Sequence, residues 1–271
     1  MIYLSSFQLS NKEMANPNIY PYNVFRGKYV EPFVFDTITV LYGNNGSGKS
    51  TLLNIIANSL QLKGKEQATS NTYGMVRYCE KFESECSWSL GDDEEGYGIK
   101  EIPGDSRYIK SEDILYEIKK IQQKQVLSSG MEYDYVQRGM TVREAREFAN
   151  SIQGVRQRRY IEFAQEKYSN GETSLQYFDE YLKPDALYLL DEPEVSLSPA
   201  NQVLLAQQIN KMARFLRCQF IIATHSPFML GTLNAKIYNI DTKDYAVAKW
   251  CELENVRYFY NFFKEHEKEF L

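Results

Sequence analysis

The stretch GNNGSGKS, residues 43–50, lies between an apolar segment and a segment with helical periodicity. TITVLYG before it is typical of a buried strand, and the apolar residues after it recur at the spacing of one helix face: Leu52, Leu53, Ile55, Ile56 and Leu60. The stretch matches G-x-x-x-x-G-K-[ST]. Its glycines let successive backbone N–H groups point into one concavity, and the following helix adds unpaired N–H groups and the positive end of its dipole. The sequence therefore predicts a loop that holds a polyphosphate.

Every position of this loop is a candidate for nucleotide binding. Lys49 is expected to reach the β- and γ-phosphates, and the Ser50 hydroxyl is expected to bind Mg²⁺. The candidate nucleotide-binding residues are Gly43, Asn44, Asn45, Gly46, Ser47, Gly48, Lys49, Ser50 and Thr51. A glycine-rich turn before an ordinary helix is the alternative, and the match over all eight positions argues against it.

A pair of carboxylates, Asp191 and Glu192, follows the apolar run ALYLL. A strand buried on both faces would bring both to the carboxyl edge of a parallel sheet, where such sheets bind ligands. Because two adjacent buried carboxylates require a cation, we expect Asp191 to bind Mg²⁺. Glu192 is then the candidate base for the water that attacks the γ-phosphate. A strand followed by an exposed turn is the alternative.

The segment QFIIATHSP, residues 219–227, predicts a second buried strand, which ends in Thr224, His225 and Ser226. A histidine after a strand is often only structural. Here it would lie at the same sheet edge as Asp191, so His225 is a candidate γ-phosphate sensor or hydrogen-bond donor. The candidate catalytic residues are therefore Lys49, Glu192 and His225.

The segment YSNGE, residues 168–172, precedes another helical pattern. Ser169 and Gly171 would lie at a helix N-terminus, which is an anion site without a lysine of its own. Two such sites in one chain make sense if the second binds the γ-phosphate held by a partner subunit. An ordinary serine-capped surface helix is the alternative.

The order of GNNGSGKST, YSNGE, LYLLDEPEVSLSP and IIATHSP resembles that of the ABC-type ATPases. The resemblance is closest to small stand-alone bacterial AAA-type ATP-binding proteins, which are related to the ATPase heads of structural-maintenance-of-chromosomes and overcoming-lysogenization-defect proteins. It implies ATP hydrolysis with Mg²⁺ by a homodimer. Each ATP would lie between the phosphate loop of one subunit and Ser169, Gly171 and Glu172 of the other. Ser196 and Ser198 would lie at the dimer seam.

One departure from this family concerns the strand after the phosphate-loop helix. Transporters of this class place a glutamine there, whereas the segment YGMVRYCEKFE, which we predict to be that strand, contains none. Glu80 is the candidate metal ligand in its place. The resemblance also implies an aromatic side chain that stacks on adenine, and Tyr20, Tyr22 and Phe25 are equal candidates.

The predicted fold class is α/β, a P-loop NTPase of the ABC ATPase type over residues 1–271. We expect a central, largely parallel sheet, an antiparallel N-terminal β part, and a helical lobe at residues 81–167 inserted before YSNGE. Within this lobe Ser111, the TVRE segment at Thr141–Glu144, and Val155–Lys167 predict helices. A helix starting with Ser198 as its cap and Pro199 in its first turn is predicted after the carboxylate pair.

Composition excludes several classes of protein. Acidic residues outnumber basic ones by 36 to 31, so no global basic field attracts nucleic acid or an anionic membrane. No apolar run is long enough to span a bilayer, and the N-terminus lacks the features of a signal peptide, which predicts a cytoplasmic protein. The four cysteines lack the spacing of a zinc site.

The leading functional hypothesis is an ATPase whose dimer closes on ATP and opens after hydrolysis, and so drives or licenses a protein partner. A phage-defence or DNA-related system fits the family. The helical lobe and the C-terminal segment VRYFYNFFKEHEKEF are the candidate docking surfaces, although those aromatic side chains could equally be core.

The alternative function is the ATP-binding subunit of an ABC transporter with a separate membrane protein. Nucleic-acid contact through a local basic patch stays open, whereas the segment between Thr51 and Ser169 is too short for long coiled-coil arms.

Overall fold

A computed structural model of the 271-residue chain describes residues 1–28, 31–66, 72–73, 76–93, 95–111, 136, 140–149, 182–195 and 197–271. The chain divides into two compact units, of which the first comprises Met1–Ser111 and Leu182–Leu271 and the second Glu112–Tyr181. The YSNGE segment, Ser196 and the helix predicted at Val155–Lys167 lie outside the described residues.

The described strands all belong to the first unit. They are β1 (Leu4–Gln8), β2 (Phe33–Val34), β3 (Ile38–Tyr42), β4 (Thr72–Tyr73), β5 (Val76–Arg77), β6 (Ser87–Leu90), β7 (Arg107–Lys110), β8 (Leu187–Asp191), β9 (Gln219–Ala223) and β10 (Lys236–Asn239). The described α-helices are α1 (Lys49–Ser59), α2 (Tyr78–Glu85), α3 (Val142–Ala149), α4 (Pro199–Phe215), α5 (Pro227–Thr232) and α6 (Glu254–Glu265), and of these α3 belongs to the second unit.

The central sheet has the strand order β10–β3–β9–β8–β7, and every neighbouring pair is parallel. All residues of β3, β8 and β9 are buried, as expected for apolar strands that helices cover on both faces. The register aligns Leu41, Ala223 and Asp191, so the three central strands end at one edge. The predicted α/β fold with a parallel sheet is confirmed.

A smaller antiparallel sheet has the order β2–β1–β6 and confirms the predicted N-terminal β part. The buried side chain of Gln219 joins the two sheets. Its Oε1 accepts hydrogen bonds from the backbone N–H groups of Tyr3 and Leu4, both at 2.8 Å, and its Nε2 donates to the carbonyl of Leu4 at 2.8 Å. Both β6 and β7 fall in the range predicted to be the helical lobe, and each belongs to a sheet of the first unit.

The strand predicted at YGMVRYCEKFE is wrong, because the structure has two short strands there followed by helix α2. Cys79 and Phe82 are three positions apart and both buried, which is the spacing of one helix face. Phe82 packs on the rings of Tyr22 and Phe25, with ring centroids 4.8 Å and 5.7 Å away. The packing of Phe82 against these two rings therefore stabilises α2.

Two predicted helix starts are confirmed. Ser198 caps α4 with Pro199 in its first turn, and the Thr141 backbone N–H donates to Glu144 Oε2 at 2.9 Å in the predicted capping box of α3. The aromatic side chains of α6 are exposed rather than core: Tyr258, Phe259, Tyr260, Phe262 and Phe263. Across the described part of the chain, none of the helices combines the length and hydropathy that crossing a membrane requires.

Replacing Gln219 by alanine is expected to lower the free energy of unfolding by about 3 kcal/mol, because it leaves several buried backbone groups without a partner. Urea unfolding measures the change. Gln207→Ala, at an exposed position of α4, is the matched control and should change it by less than about 0.5 kcal/mol. Equal effects of the two substitutions would show that the hydrogen bonds of Gln219 between the sheets do not contribute to the free energy of unfolding.

Candidate functional site

The glycine-rich loop connects β3 to α1 in the conformation that its sequence predicts. Gly46 and Gly48 have φ angles of +82° and +98°, in the left-handed region that favours glycine. A Cβ atom on Gly48 would lie 2.6 Å from the side chain of Val24, and one on Gly43 would lie 2.6 Å from Ser47 Oγ. The loop is thus open only because these positions lack side chains, and its backbone can surround a phosphate.

Lys49, the first residue of α1, is only 4% exposed. Its Nζ donates hydrogen bonds to the carbonyls of Gly43 and Asn44 at 2.8 Å and 3.1 Å, and lies 3.8 Å from Glu192 Oε1. The charge of this lysine is therefore directed into the loop, and its partners in the ligand-free chain are the loop's own carbonyls and a carboxylate.

Asp191, the last residue of β8, is 7% exposed. The Tyr108 hydroxyl donates to its Oδ2 at 3.1 Å, whereas Oδ1 is buried and has no hydrogen-bond partner among the described residues. Burial raises the pKa of the Asp191 carboxyl, and the neighbouring hydroxyls of Ser50 and Tyr108 lower it. A carboxylate oxygen without a partner beside a serine hydroxyl is the kind of donor set that Mg²⁺ takes.

Glu192 continues from β8 in a left-handed conformation, with φ of 47°. Its backbone N–H donates to the carbonyl of Ala223 at 2.9 Å, which continues the pairing with β9 past the end of β8. Glu192 Oε1 lies 3.4 Å from His225 Nδ1. The structure thus brings together the three predicted catalytic side chains, those of Lys49, Glu192 and His225.

Glu80 lies on α2, where its carboxylate pairs with Arg77 at 2.9 Å and is 63% exposed. Its assignment as a metal ligand stays a prediction. The predicted residues Ser169, Gly171 and Glu172 lie outside the described residues, and their roles also stay predictions.

The structure separates the three aromatic candidates for adenine stacking. Tyr22 and Phe25 are buried in the core, and the Tyr22 hydroxyl donates to Glu85 Oε2 at 2.9 Å. Tyr20 is half-buried and its hydroxyl lies 3.5 Å from Thr51 Oγ1, at the helix that follows the phosphate loop. By position and exposure, Tyr20 is the candidate that remains.

Three residues beside the phosphate loop were missed by the sequence analysis. Both carboxylate oxygens of Asp241 accept a hydrogen bond from the backbone N–H of Asn44, at 3.1 Å and 3.0 Å. Asn255 of α6 donates from its side chain to Asn44 Oδ1 and from its backbone N–H to the Tyr42 hydroxyl, both at 3.2 Å. Tyr108 is the third. The only local signal was at Asp241, a carboxylate that closely follows an apolar strand, as Asp191 does.

A family model described as "AAA domain, putative AbiEii toxin, Type IV TA system" matches residues 79–231, which is more than half of the chain. The match includes Asp191, Glu192 and His225 and begins after the phosphate loop. No curated protein matches the chain.

Solved structures of two kinds are similar to this chain. The Smc head domain of Pyrococcus furiosus, with an extended coiled coil and bound to the C-terminal domain of ScpA, is 12% identical, with 98% of this chain and 100% of that chain covered and a TM-score of 0.46. The SMC head domain of Thermotoga maritima is 12% identical, with 92% and 99% covered and a TM-score of 0.41. The bacterial ABC transporter cassette MJ0796, a dimer, is 15% identical, with 89% and 95% covered and a TM-score of 0.42.

Replacing Asp191 by asparagine should stabilise the metal-free chain relative to the wild type increasingly as pH rises. The pKa of Asp191 in the folded chain lies above its ordinary value of 3.8. At pH values between the two, the unfolded chain has released a proton that the folded chain keeps. The free energy of unfolding of the wild type therefore falls as pH rises through this interval. Asparagine does not titrate and escapes this loss. Denaturant unfolding in EDTA at pH 4 and pH 7 gives the two differences.

The control is Asp244→Asn, which makes the same side-chain change at an exposed position. If the Asp191→Asn difference is the same at both pH values, burial does not govern the ionisation of this carboxyl.

Proposed function

The chain belongs to the AAA-domain family of the AbiEii toxin type, and on that basis we propose that it hydrolyses ATP to ADP and phosphate at the edge of its parallel sheet. The observation that carries the proposal is the meeting of Lys49, Glu192 and His225 beside the phosphate loop, with both side-chain distances from Glu192 below 4 Å. Phosphoryl transfer depends on positioning and on charge stabilisation, and this set of groups supplies both.

Residues 43–50 would hold the triphosphate with their backbone N–H groups, and Lys49 would exchange its two carbonyl partners for phosphate oxygens. Ser50 and Asp191 would hold Mg²⁺, which when bound neutralises charge on the phosphates. The buried Oδ1 of Asp191, which has no hydrogen-bond partner among the described residues, supports this assignment.

Glu192 would orient a water molecule and take its proton as the water oxygen bonds to the γ-phosphorus and the bond to the bridging oxygen of ADP breaks. His225 Nδ1 lies 3.4 Å from Glu192 Oε1 and would hold the carboxylate or the γ-phosphate by a hydrogen bond. Glu80 would complete the metal site if α2 turns its carboxylate away from Arg77 in the nucleotide-bound chain.

We further propose that the functional unit is a homodimer enclosing two ATP molecules. Ser169, Gly171 and Glu172 of one subunit would contact the γ-phosphate bound by the other, with Ser198 near the seam. The sequence predicts two anion-binding segments in one chain, of which only the phosphate loop has a lysine, and this prediction supports the arrangement. The dimer would act on a protein effector, and the toxin named in the family description makes a phage-defence system the setting we favour.

Replacing Glu192 by glutamine is expected to lower the rate of ATP turnover at least about 100-fold, because the base for the attacking water is lost. ATP affinity should stay within about threefold, since the phosphate loop is unchanged, and the variant should accumulate as an ATP-bound dimer on size exclusion. A phosphate-release assay and equilibrium ATP binding measure the two effects. Glu265→Gln, on the exposed C-terminal helix, is the matched control and should match the wild type.

A Glu192→Gln protein that turns over ATP at the wild-type rate would contradict the assignment of the base. A variant that binds ATP–Mg²⁺ at saturation yet stays monomeric would contradict the dimer and leave the base assignment standing.

Mixing two inactive variants tests the shared site directly. Lys49→Ala removes the phosphate-loop lysine, and Ser169→Arg blocks the contact to the partner's nucleotide, so each variant alone should be nearly inactive. In a mixed dimer, one site has the intact loop of the Ser169→Arg subunit and the intact YSNGE of the other, so mixing should restore turnover in the phosphate-release assay. Ser87→Arg, which adds the same charge at an exposed position of β6, is the control and should stay active. Mixtures no more active than the separate variants would rule out a shared site.

A further inference from the structure

A buried carboxylate that the proposed chemistry does not use lies three positions after Asp191. Glu194 is 5% exposed, and its Oε1 accepts a hydrogen bond from the hydroxyl of Thr224. Thr224 is fully buried, and its Oγ1 also accepts from the backbone N–H of Ser226 at 3.1 Å. This side-chain pair therefore ties the turn that follows β8 to the turn that follows β9.

A second bridge joins the same two turns. Gln202, near the start of α4, donates from Nε2 to the carbonyl of Leu197 at 3.0 Å and accepts from Ser226 Oγ at 2.5 Å. Ser226 Oγ in turn accepts from the backbone N–H groups of Phe228 and Met229, both at 3.2 Å, at the start of α5. The closed circuit of Glu194, Leu197, Gln202, Thr224 and Ser226 is called here the two-turn clasp.

The two turns carry the groups that must meet at the γ-phosphate. Glu192 lies two positions before Glu194, and its carbonyl accepts from the backbone N–H of Val195 at 3.1 Å in the same turn. His225 lies between the two clasp residues of the other turn. The 3.4 Å separation between Glu192 Oε1 and His225 Nδ1 thus depends on the hydrogen bonds that connect the two turns.

The clasp is built at a cost in stability. Burial raises the pKa of the Glu194 carboxyl, which the hydrogen bond from Thr224 only partly offsets. Its second oxygen, Oε2, is buried and has no hydrogen-bond partner among the described residues. Because an apolar side chain would avoid this penalty, a carboxyl at this position is better explained by what it orients than by stability.

We propose that Glu194 is a positioning residue for ATP hydrolysis, which acts by holding the turn of Glu192 against the turn of His225 through Thr224. The proposal rests on the proposed function and adds to it a residue that contacts neither nucleotide nor metal. Because the phosphate loop is a separate element, loss of the clasp should affect the chemical step and leave ATP binding nearly unchanged.

Steady-state kinetics of the 271-residue chain with ATP–Mg²⁺ test this. Glu194→Ala and Thr224→Val should each lower kcat about tenfold or more, with the KM for ATP within about threefold of the wild type. Glu194→Gln and Thr224→Ser keep an acceptor and a hydroxyl in place, so both should retain kcat within about threefold. The double variant Glu194→Ala/Thr224→Val should be no slower than the slower single variant, because the hydrogen bond that Glu194→Ala removes is one of the two that Thr224→Val removes.

Four outcomes decide the proposal. Wild-type kcat in both Glu194→Ala and Thr224→Val refutes it, as does a Glu194→Gln protein as slow as Glu194→Ala. A rise in KM without loss of kcat also refutes it, because it would place the clasp in nucleotide binding. If the wild type turns over ATP no faster than the Lys49→Ala variant, the proposed function is refuted, and the role of the two-turn clasp is refuted with it. If Glu194→Ala does not fold, as judged by thermal melting, the near-isosteric Thr224→Val gives the same test.

Discussion

The parallel pairing of β3, β9 and β8 is the interaction on which the site depends. Leu41, Ala223 and Asp191 stand side by side in its register, so whatever follows each strand must emerge at one edge. The phosphate loop, the carboxylate pair and the histidine turn are far apart in the chain, and only this pairing brings them together. The strands can carry them there because they are mostly apolar and every one of their residues is buried.

The same edge collects polar atoms that the fold leaves without hydrogen bonds. Within the described residues, Ser47 Oγ, Asp191 Oδ1, Glu194 Oε2 and His225 Nδ1 are buried and have no hydrogen-bond partner. Such groups normally cost about 1–3 kcal/mol each. In the proposed function, a triphosphate and a divalent cation would bind at this edge, and Asp191 Oδ1 would gain the cation as a partner.

The sequence predicted this edge well because its elements carry local signals. Runs such as ALYLL and QFIIA identify buried strands, and the glycine spacing before Lys49 requires a particular loop. Helix α2 was mistaken for a strand because its buried Phe82 packs on Tyr22 and Phe25, which are about 60 positions away, and no local pattern reveals that contact. Strands β6 and β7 are only four residues long and gave no usable periodicity. Asn255 reaches the phosphate loop through tertiary packing alone, so no local pattern pointed to it.

The lysine of the phosphate loop shows what nucleotide binding has to overcome. In the ligand-free chain its ammonium group is already solvated by the carbonyls of Gly43 and Asn44 and lies near the carboxylate of Glu192. In the proposed function, an incoming triphosphate would therefore replace existing partners of Lys49 rather than meet an unpaired charge. Its affinity would therefore measure the difference between the contacts that Lys49 makes with phosphate oxygens and those that it makes with the carbonyls of its own loop.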